Sequence, residues 1–146
     1  TYTMLFLSRM IALRDPDTFN NPTIIIIVDR DDLDTQTAEL FATAKKFLHE
    51  SDVRSIKSRA DMAKTLGDRP SGGVYITSIQ KFCETTGLLS DRSNIICISD
   101  EAHRTQAGVG AKLKKTDKGV FTTYGFAKYL RDSFPNATYC GFTGTP

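Results

Sequence analysis

The chain has 146 residues, 40% hydrophobic and 25% charged, with a formal net charge of +2. That length bounds it to about one domain, and with Pro and Gly not enriched and no internal repeat it has the balance of an ordinary globular chain. No apolar run reaches the roughly 18–20 residues that cross a bilayer, the small net charge demands no polyanionic partner, and Cys83, Cys97 and Cys140 are odd in number and follow no zinc spacing, which points to a reducing, cytoplasmic setting.

Thr1 to Arg14 carries Met4, Leu5, Phe6, Leu7, Met10, Ile11 and Leu13. Arg9 and Arg14 interrupt the run and no small-residue cleavage site follows, so it reads as a buried helix rather than a leader. Asn20-Asn21-Pro22 is a turn. The β-branched run Ile24 to Val28, within a strand over Thr23–Val28, is the pattern of a strand buried on both faces. Asp29 to Asp34 reads as a polar exit loop, and Thr35 to His49 as a helix with Leu40, Phe41, Ala44, Phe47 and Leu48 on one face. Asp31, Asp32 and Asp34 near its start and Lys45 and Lys46 near its end suit the helix dipole.

A second strand is predicted over Val53–Lys57. Ser58, with Asp61 three residues on, forms a capping box that opens a short helix to Leu66. Gly67 to Gly73 is a loop, followed by strands over Gly73–Ser78 and Asn94–Ser99. Ala107 to Thr123 reads as a long surface loop bearing Lys112, Lys114, Lys115 and Lys118, simply solvated or, alternatively, in contact with phosphates. A helix over Tyr124–Ser133 stops before Pro135, and a strand over Ala137–Phe142 follows. Strands alternating with helices give an α/β fold, a mostly parallel sheet of about five strands flanked by helices.

The chemistry concentrates where Asn94-Ile95-Ile96-Cys97-Ile98 runs into Ser99-Asp100-Glu101-Ala102-His103. A buried strand there delivers two adjacent carboxylates and an imidazole to its C-terminal tip, where parallel sheets gather ligands. One carboxylate can anchor Mg²⁺ on a nucleoside triphosphate and the other can orient the attacking water. Asp29, Arg30, Gln36, Thr77, Ser78 and Gln80 also follow strand ends, and such groups donate to a nucleic-acid backbone without reading bases. Tyr75 and Phe82 are read as core rather than as rings stacking on bases, and His49 as a surface residue at a helix end. Gly108-Val109-Gly110 is no phosphate cradle, because no strand immediately precedes it.

Several segments then line up with one family. Ile98-Ser99-Asp100-Glu101-Ala102-His103-Arg104-Thr105-Gln106 resembles helicase motif II in its DEAH form, and Gly141-Phe142-Thr143-Gly144-Thr145-Pro146 resembles motif III. Val28-Asp29-Arg30-Asp31-Asp32-Leu33-Asp34-Thr35-Gln36 resembles motif Ia, and Ile76-Thr77-Ser78-Ile79-Gln80-Lys81-Phe82 extends the match. Together they resemble the motor (restriction) subunit of type I restriction–modification enzymes, a superfamily 2 helicase-like protein, over the whole chain as part of its first RecA-like lobe.

The resemblance implies ATP and Mg²⁺ as cofactors, with Asp100 holding the metal through water and Glu101 acting as general base or water-positioning group. It implies that His103 couples nucleotide state to the rest of the motor, and that Thr143, Gly144 and Thr145 relay between the ATP and DNA sites. Arg30, Thr77, Ser78 and Gln80 would track double-stranded DNA. A Walker A loop, G-x-x-x-x-G-K-[ST], does not occur in the chain. Tyr2-Thr3-Met4 resembles the start of the helix that follows this loop, which makes Thr1 its hydroxyl residue and a contact to ATP. The P-loop strand, the second lobe and the nuclease domain are therefore expected in a longer polypeptide, and the fragment alone is expected to be inactive. The implied activity is a type I site-specific deoxyribonuclease driven by ATP-dependent DNA translocation, working with specificity and methyltransferase subunits. Another superfamily 2 helicase or remodeller, or a nucleotide-dead DNA-binding or scaffold module, remains as an alternative.

Overall fold

The computed structural model describes residues 2–14, 16–29, 31–50, 52–82, 87–100, 112–116, 119–123 and 126–143. In chain order these form α1 (Tyr2–Arg14), α2 (Pro16–Phe19), β1 (Thr23–Val28), α3 (Asp31–Thr43), α4 (Lys45–Leu48), β2 (Val53–Ser55) and α5 (Arg59–Asp68). They continue with β3 (Val74–Ser78), α6 (Ile79–Phe82), β4 (Ile95–Ser99), β5 (Lys112–Thr116), β6 (Gly119–Thr123), α7 (Phe126–Ser133) and β7 (Thr138–Gly141). A five-stranded sheet runs in the order β2-β3-β1-β4-β7, and every pair in it is parallel. The α/β architecture expected from the alternation of strands and helices is present, and it is that of a RecA-like lobe.

β1 occupies the middle of this sheet, and all six of its residues are buried. Its side chains alternate between two apolar layers, as the period of a strand requires. Ile24, Ile26 and Val28 join Met4, Leu5 and Ile11 of α1, Phe41 of α3 and Leu48 of α4 on one face. Ile25 and Ile27 join Met62 and Leu66 of α5, Phe82 of α6, and Leu130 and Phe134 at α7 on the other. Burying one such side chain removes enough apolar surface to contribute about 1.5–3 kcal/mol, so a continuous isoleucine run fits only at the centre of a sheet covered on both sides. Tyr75 and Phe82 are 1% and 2% exposed and belong to this core.

Three expectations are corrected. Asp31 to Asp34 are the first turn of α3, not an exit loop. The helix expected to run through to His49 is interrupted at Ala44, whose N–H is shared between Leu40 O at 3.2 Å and Phe41 O at 3.1 Å, and α4 resumes until His49 closes it in the left-handed conformation. The lysine-rich stretch is not a loop throughout. β5 and β6 pair antiparallel within it, Lys112 opposite Thr123 through Thr116 opposite Gly119, and the β-branched and aromatic residues Val120, Phe121, Thr122 and Thr123 suit that state. A further adjustment concerns α1: Met4, Leu5 and Ile11 enter the core, whereas Tyr2, Phe6 and Met10 stay exposed, so the helix is buried on one side only.

Ser58 is the N-cap of α5: its Oγ accepts from Asp61 N at 3.1 Å. The Asp61 carboxylate reaches back one residue further than in the usual reciprocal pair, accepting from Lys57 N at 2.9 Å. The next residue, Arg59, is almost wholly buried. Its Nη1 donates to Phe82 O at 3.0 Å, and its Nη2 donates to Gly87 O at 2.6 Å and Ser133 Oγ at 2.9 Å. The guanidinium also lies over the Phe82 ring, 5.3 Å from its centroid.

Candidate functional site

Four strands end at one level. Val28 of β1 is in register with Ser78 of β3, Ile27 with Ser99 of β4, and Ser99 with Gly141 of β7. The C-terminal rim so formed is where an open parallel sheet presents ligand-binding groups. Two backbone hydrogen bonds carry the alignment past the strands themselves. Asp100 N donates to Ile27 O at 2.9 Å, and Phe142 N donates to Ser99 O at 2.8 Å. Asp100 therefore leaves the sheet between the ends of β1 and β7, half-buried, with its backbone fixed on one side by the central strand.

The remaining sequence-derived candidates distribute unevenly along this rim. Thr143 lies two residues past β7 and is exposed, and Asp29, directly after β1, is half-buried. Thr77 and Ser78 end β3, but both side chains are buried. Ser78 Oγ accepts from Lys81 N at 3.3 Å, closing the first turn of α6, and Thr77 Oγ1 lies 3.4 Å from Ser78 O. These two hydroxyls shape the rim from beneath, whereas Gln80 on α6 is exposed above it. Thr1, Arg30, Glu101, His103, Gly144 and Thr145 lie outside the described residues. His49, read as a surface residue, is exposed at the end of α4.

Among the described residues no group of three His, Cys, Asp or Glu side chains converges. Mg²⁺ keeps most of its water and completes its shell with substrate phosphates, so one carboxylate such as that of Asp100 would be enough to hold it.

A second polar cluster, invisible in the sequence, occupies the opposite rim. Glu50 accepts from Gly73 N at 2.7 Å, Asp52 N at 2.9 Å and Arg69 Nη2 at 3.1 Å. Arg69 also pairs with Asp52 at 3.3 Å, and Tyr75 Oη donates to Asp52 Oδ2 at 2.6 Å. Burial pushes the Glu50 carboxyl upward, but the two backbone amides and the Arg69 guanidinium outweigh it and leave the group below its ordinary value. Burial, then the hydrogen bond and charge of Asp52, raise the Tyr75 phenol well above its ordinary range. A shallow basin of about 670 Å³ opens here between Asn21, Lys45, Lys46, His49, Glu50 and Arg69. It lies at the N-terminal ends of the strands, away from Asp100. The spacing of Glu50, Asp52 and Arg69 gave no sign of the cluster, since Gly72 and Gly73 must first bring β3 alongside β2. No signal in the sequence marked Arg59 either.

Comparison with known proteins adds two findings. The SWI2/SNF2 ATPase family matches residues 1–146. The type I restriction enzyme HindI endonuclease subunit of Haemophilus influenzae is 40% identical over 99% of this chain and 14% of its own length. The type I restriction enzyme SsaAORF53P endonuclease subunit of Staphylococcus saprophyticus is 33% identical over 84% of this chain and 12% of its own length. The chain thus spans about one-seventh of these relatives or less. No solved structure gave a significant match.

Proposed function

The chain belongs to the SWI2/SNF2 ATPase family, and from that premise we propose that it is part of the first RecA-like lobe of an ATP-dependent translocase on double-stranded DNA, the motor of a type I restriction endonuclease. The observation that carries the reading is Asp100, held at the C-terminal rim of a parallel sheet by the carbonyl of Ile27 and flanked by the end of β7. Family membership supports ATP as the substrate, and the names of the relatives support restriction as the setting.

In this reading Asp100 would hold Mg²⁺ through water, which would supply charge neutralisation for the triphosphate. Glu101, next in the chain, orients the water that attacks the γ-phosphate and takes its proton. His103 and Thr143-Gly144-Thr145 follow in sequence, within four residues, the two strand ends that meet at Ser99 and Gly141, and would relay the state of the phosphates to the rest of the motor. Arg30 and Gln80 contact the DNA backbone, while Thr77 and Ser78, buried beneath, hold the turn that presents Gln80. Thr1 belongs to the phosphate-binding loop. The strand leading into that loop adds beside β7, an edge strand on which Thr138, Tyr139 and Gly141 are exposed. The second lobe and the nuclease domain complete the enzyme, which works with specificity and methyltransferase subunits in the cytoplasm. Among the described residues no helix is long and apolar enough to cross a membrane.

The test is ATP hydrolysis by the intact polypeptide, with and without Mg²⁺, duplex DNA and the partner subunits. Turnover that needs Mg²⁺ and rises with duplex DNA is the expected result. A polypeptide that neither binds nor hydrolyses ATP would instead be a scaffold.

A further inference from the structure

α6 is a single turn, Ile79–Phe82. It begins directly after Ser78, the last residue of β3, whose register partner Val28 closes β1 at the C-terminal rim. A helix this short does not hold itself. Forming one turn fixes several dihedral angles for a single hydrogen bond, and the carbonyls at its end find no partner within the helix. Side chains from outside supply what is missing. At the start, Ser78 Oγ accepts from Lys81 N at 3.3 Å. At the end, Arg59 Nη1 donates to Phe82 O at 3.0 Å, where a cation also meets the negative pole of the turn. The Phe82 ring lies under the same guanidinium and against Phe134, with ring centroids 5.8 Å apart.

Arg59 is itself fixed. It follows the N-cap Ser58 in the first turn of α5, and its Nη2 donates to Gly87 O and Ser133 Oγ. What the arrangement presents is Gln80. Of the four residues of α6 it alone is exposed; Ile79 and Lys81 are half-buried and Phe82 is buried. A side-chain amide can donate to a phosphate oxygen without reading bases, but such a bond weakens steeply once it is misaligned. The placement of the turn therefore decides whether the contact is made.

We infer that Arg59 is a positioning residue for the DNA track: by holding Phe82 it sets the turn from which Gln80 donates to a phosphate of the duplex. The inference rests on the translocase reading for its ligand and for the role of Gln80, and it adds a residue that none of the motifs contains.

The experiment follows ATP hydrolysis by the intact polypeptide, with its partner subunits, against the concentration of duplex. It compares the unaltered protein with Q80A, R59Q, the R59Q/Q80A double variant and S133A. Q80A is expected to raise the duplex concentration for half-maximal stimulation by about two- to tenfold, the worth of one hydrogen bond. R59Q should raise it over the same range and leave the KM for ATP unmoved, and the double variant should be no worse than the weaker-binding single one. S133A removes an acceptor of Arg59 that lies outside α6 and should leave the duplex constant where it was. Where R59Q does not fold, R59K, which keeps the buried charge but offers one nitrogen in place of two, takes its place in the comparison. An unmoved duplex constant in the folded Arg59 variant, an effect that adds in full to that of Q80A, or an equal shift in S133A overturns the inference and leaves the motor standing. Loss of the fold in both Arg59 variants overturns it as well, since Arg59 then serves the fold alone. An unmoved constant in Q80A removes the contact on which the inference depends, and hydrolysis by the unaltered protein that never responds to duplex overturns the translocase reading itself.

Discussion

The amide of Asp100 donates to the carbonyl of Ile27 at 2.9 Å, so the first residue past β4 is still registered on the central strand. A carboxylate mounted this way loses little freedom when it takes up a ligand, because the backbone beneath it is already ordered.

In the full-length protein, Glu101→Gln should leave ATP binding near normal and reduce turnover by about 10²–10⁴-fold, the usual contribution of a positioned base. Asp100→Asn should also lose turnover, with a raised Mg²⁺ requirement that distinguishes it. Nucleotide binding and hydrolysis assayed side by side will check both, and undiminished hydrolysis in the Glu101 variant would exclude the role assigned to it.

The cap on α5 invites a stability measurement. Ser58→Ala removes the acceptor for Asp61 N and should cost about 0.5–2 kcal/mol, read as a lower denaturation midpoint with unchanged slope. Ser58→Gly should recover most of the loss.

Gly73 adopts φ +91°, and a Cβ there would stand 2.6 Å from Cζ of Tyr75 and closer still to its hydroxyl. Gly73→Ala should therefore destabilise by about 1–3 kcal/mol from the backbone alone. Tyr75→Phe in the same chain should not restore it, because the ring carbons remain. Denaturant titration of the single and double variants settles the matter.

Glu50 gives a pH signature. Its folded-state carboxyl lies below the ordinary value of 4.5, so the unfolded chain takes up a proton first as pH falls. The stabilisation is complete above 4.5 and is lost as pH drops from there through the depressed folded value. Glu50→Gln should lower stability at neutral pH, by about 1–3 kcal/mol for a charge-assisted acceptor removed from buried donors, and should flatten the acid limb. A stability-against-pH curve of the same shape in both proteins would exclude this contribution.

The sheet was legible because its signal is local and strong. Four isoleucine- or valine-bearing runs and the run Ala137–Phe142 allowed every strand of the sheet to be placed within a few residues, and the Ser58–Asp61 spacing located α5. The helix expected from Thr35 begins at Asp31, because polar residues serve an exit loop or a first helical turn equally well and mark the boundary only weakly. The hairpin was missed because lysines and glycines masked its alternation. Of the candidate site, Asp100 could be placed from the strand that ends before it. The burial of Thr77 and Ser78 could not, since a hydroxyl at a strand end points up or down according to the turn that follows. The cluster around Glu50 depends on contacts between residues far apart in the chain, and no local pattern encodes those.

Arg59 gathers acceptors from residues 82, 87 and 133 around one buried cation. Drawing any of the three away would strand charge in an apolar layer, a costly event. One guanidinium therefore ties α5 to the end of α6, to Gly87 and to the end of α7, and the helices on this side of the sheet are braced to one another as well as packed on the strands.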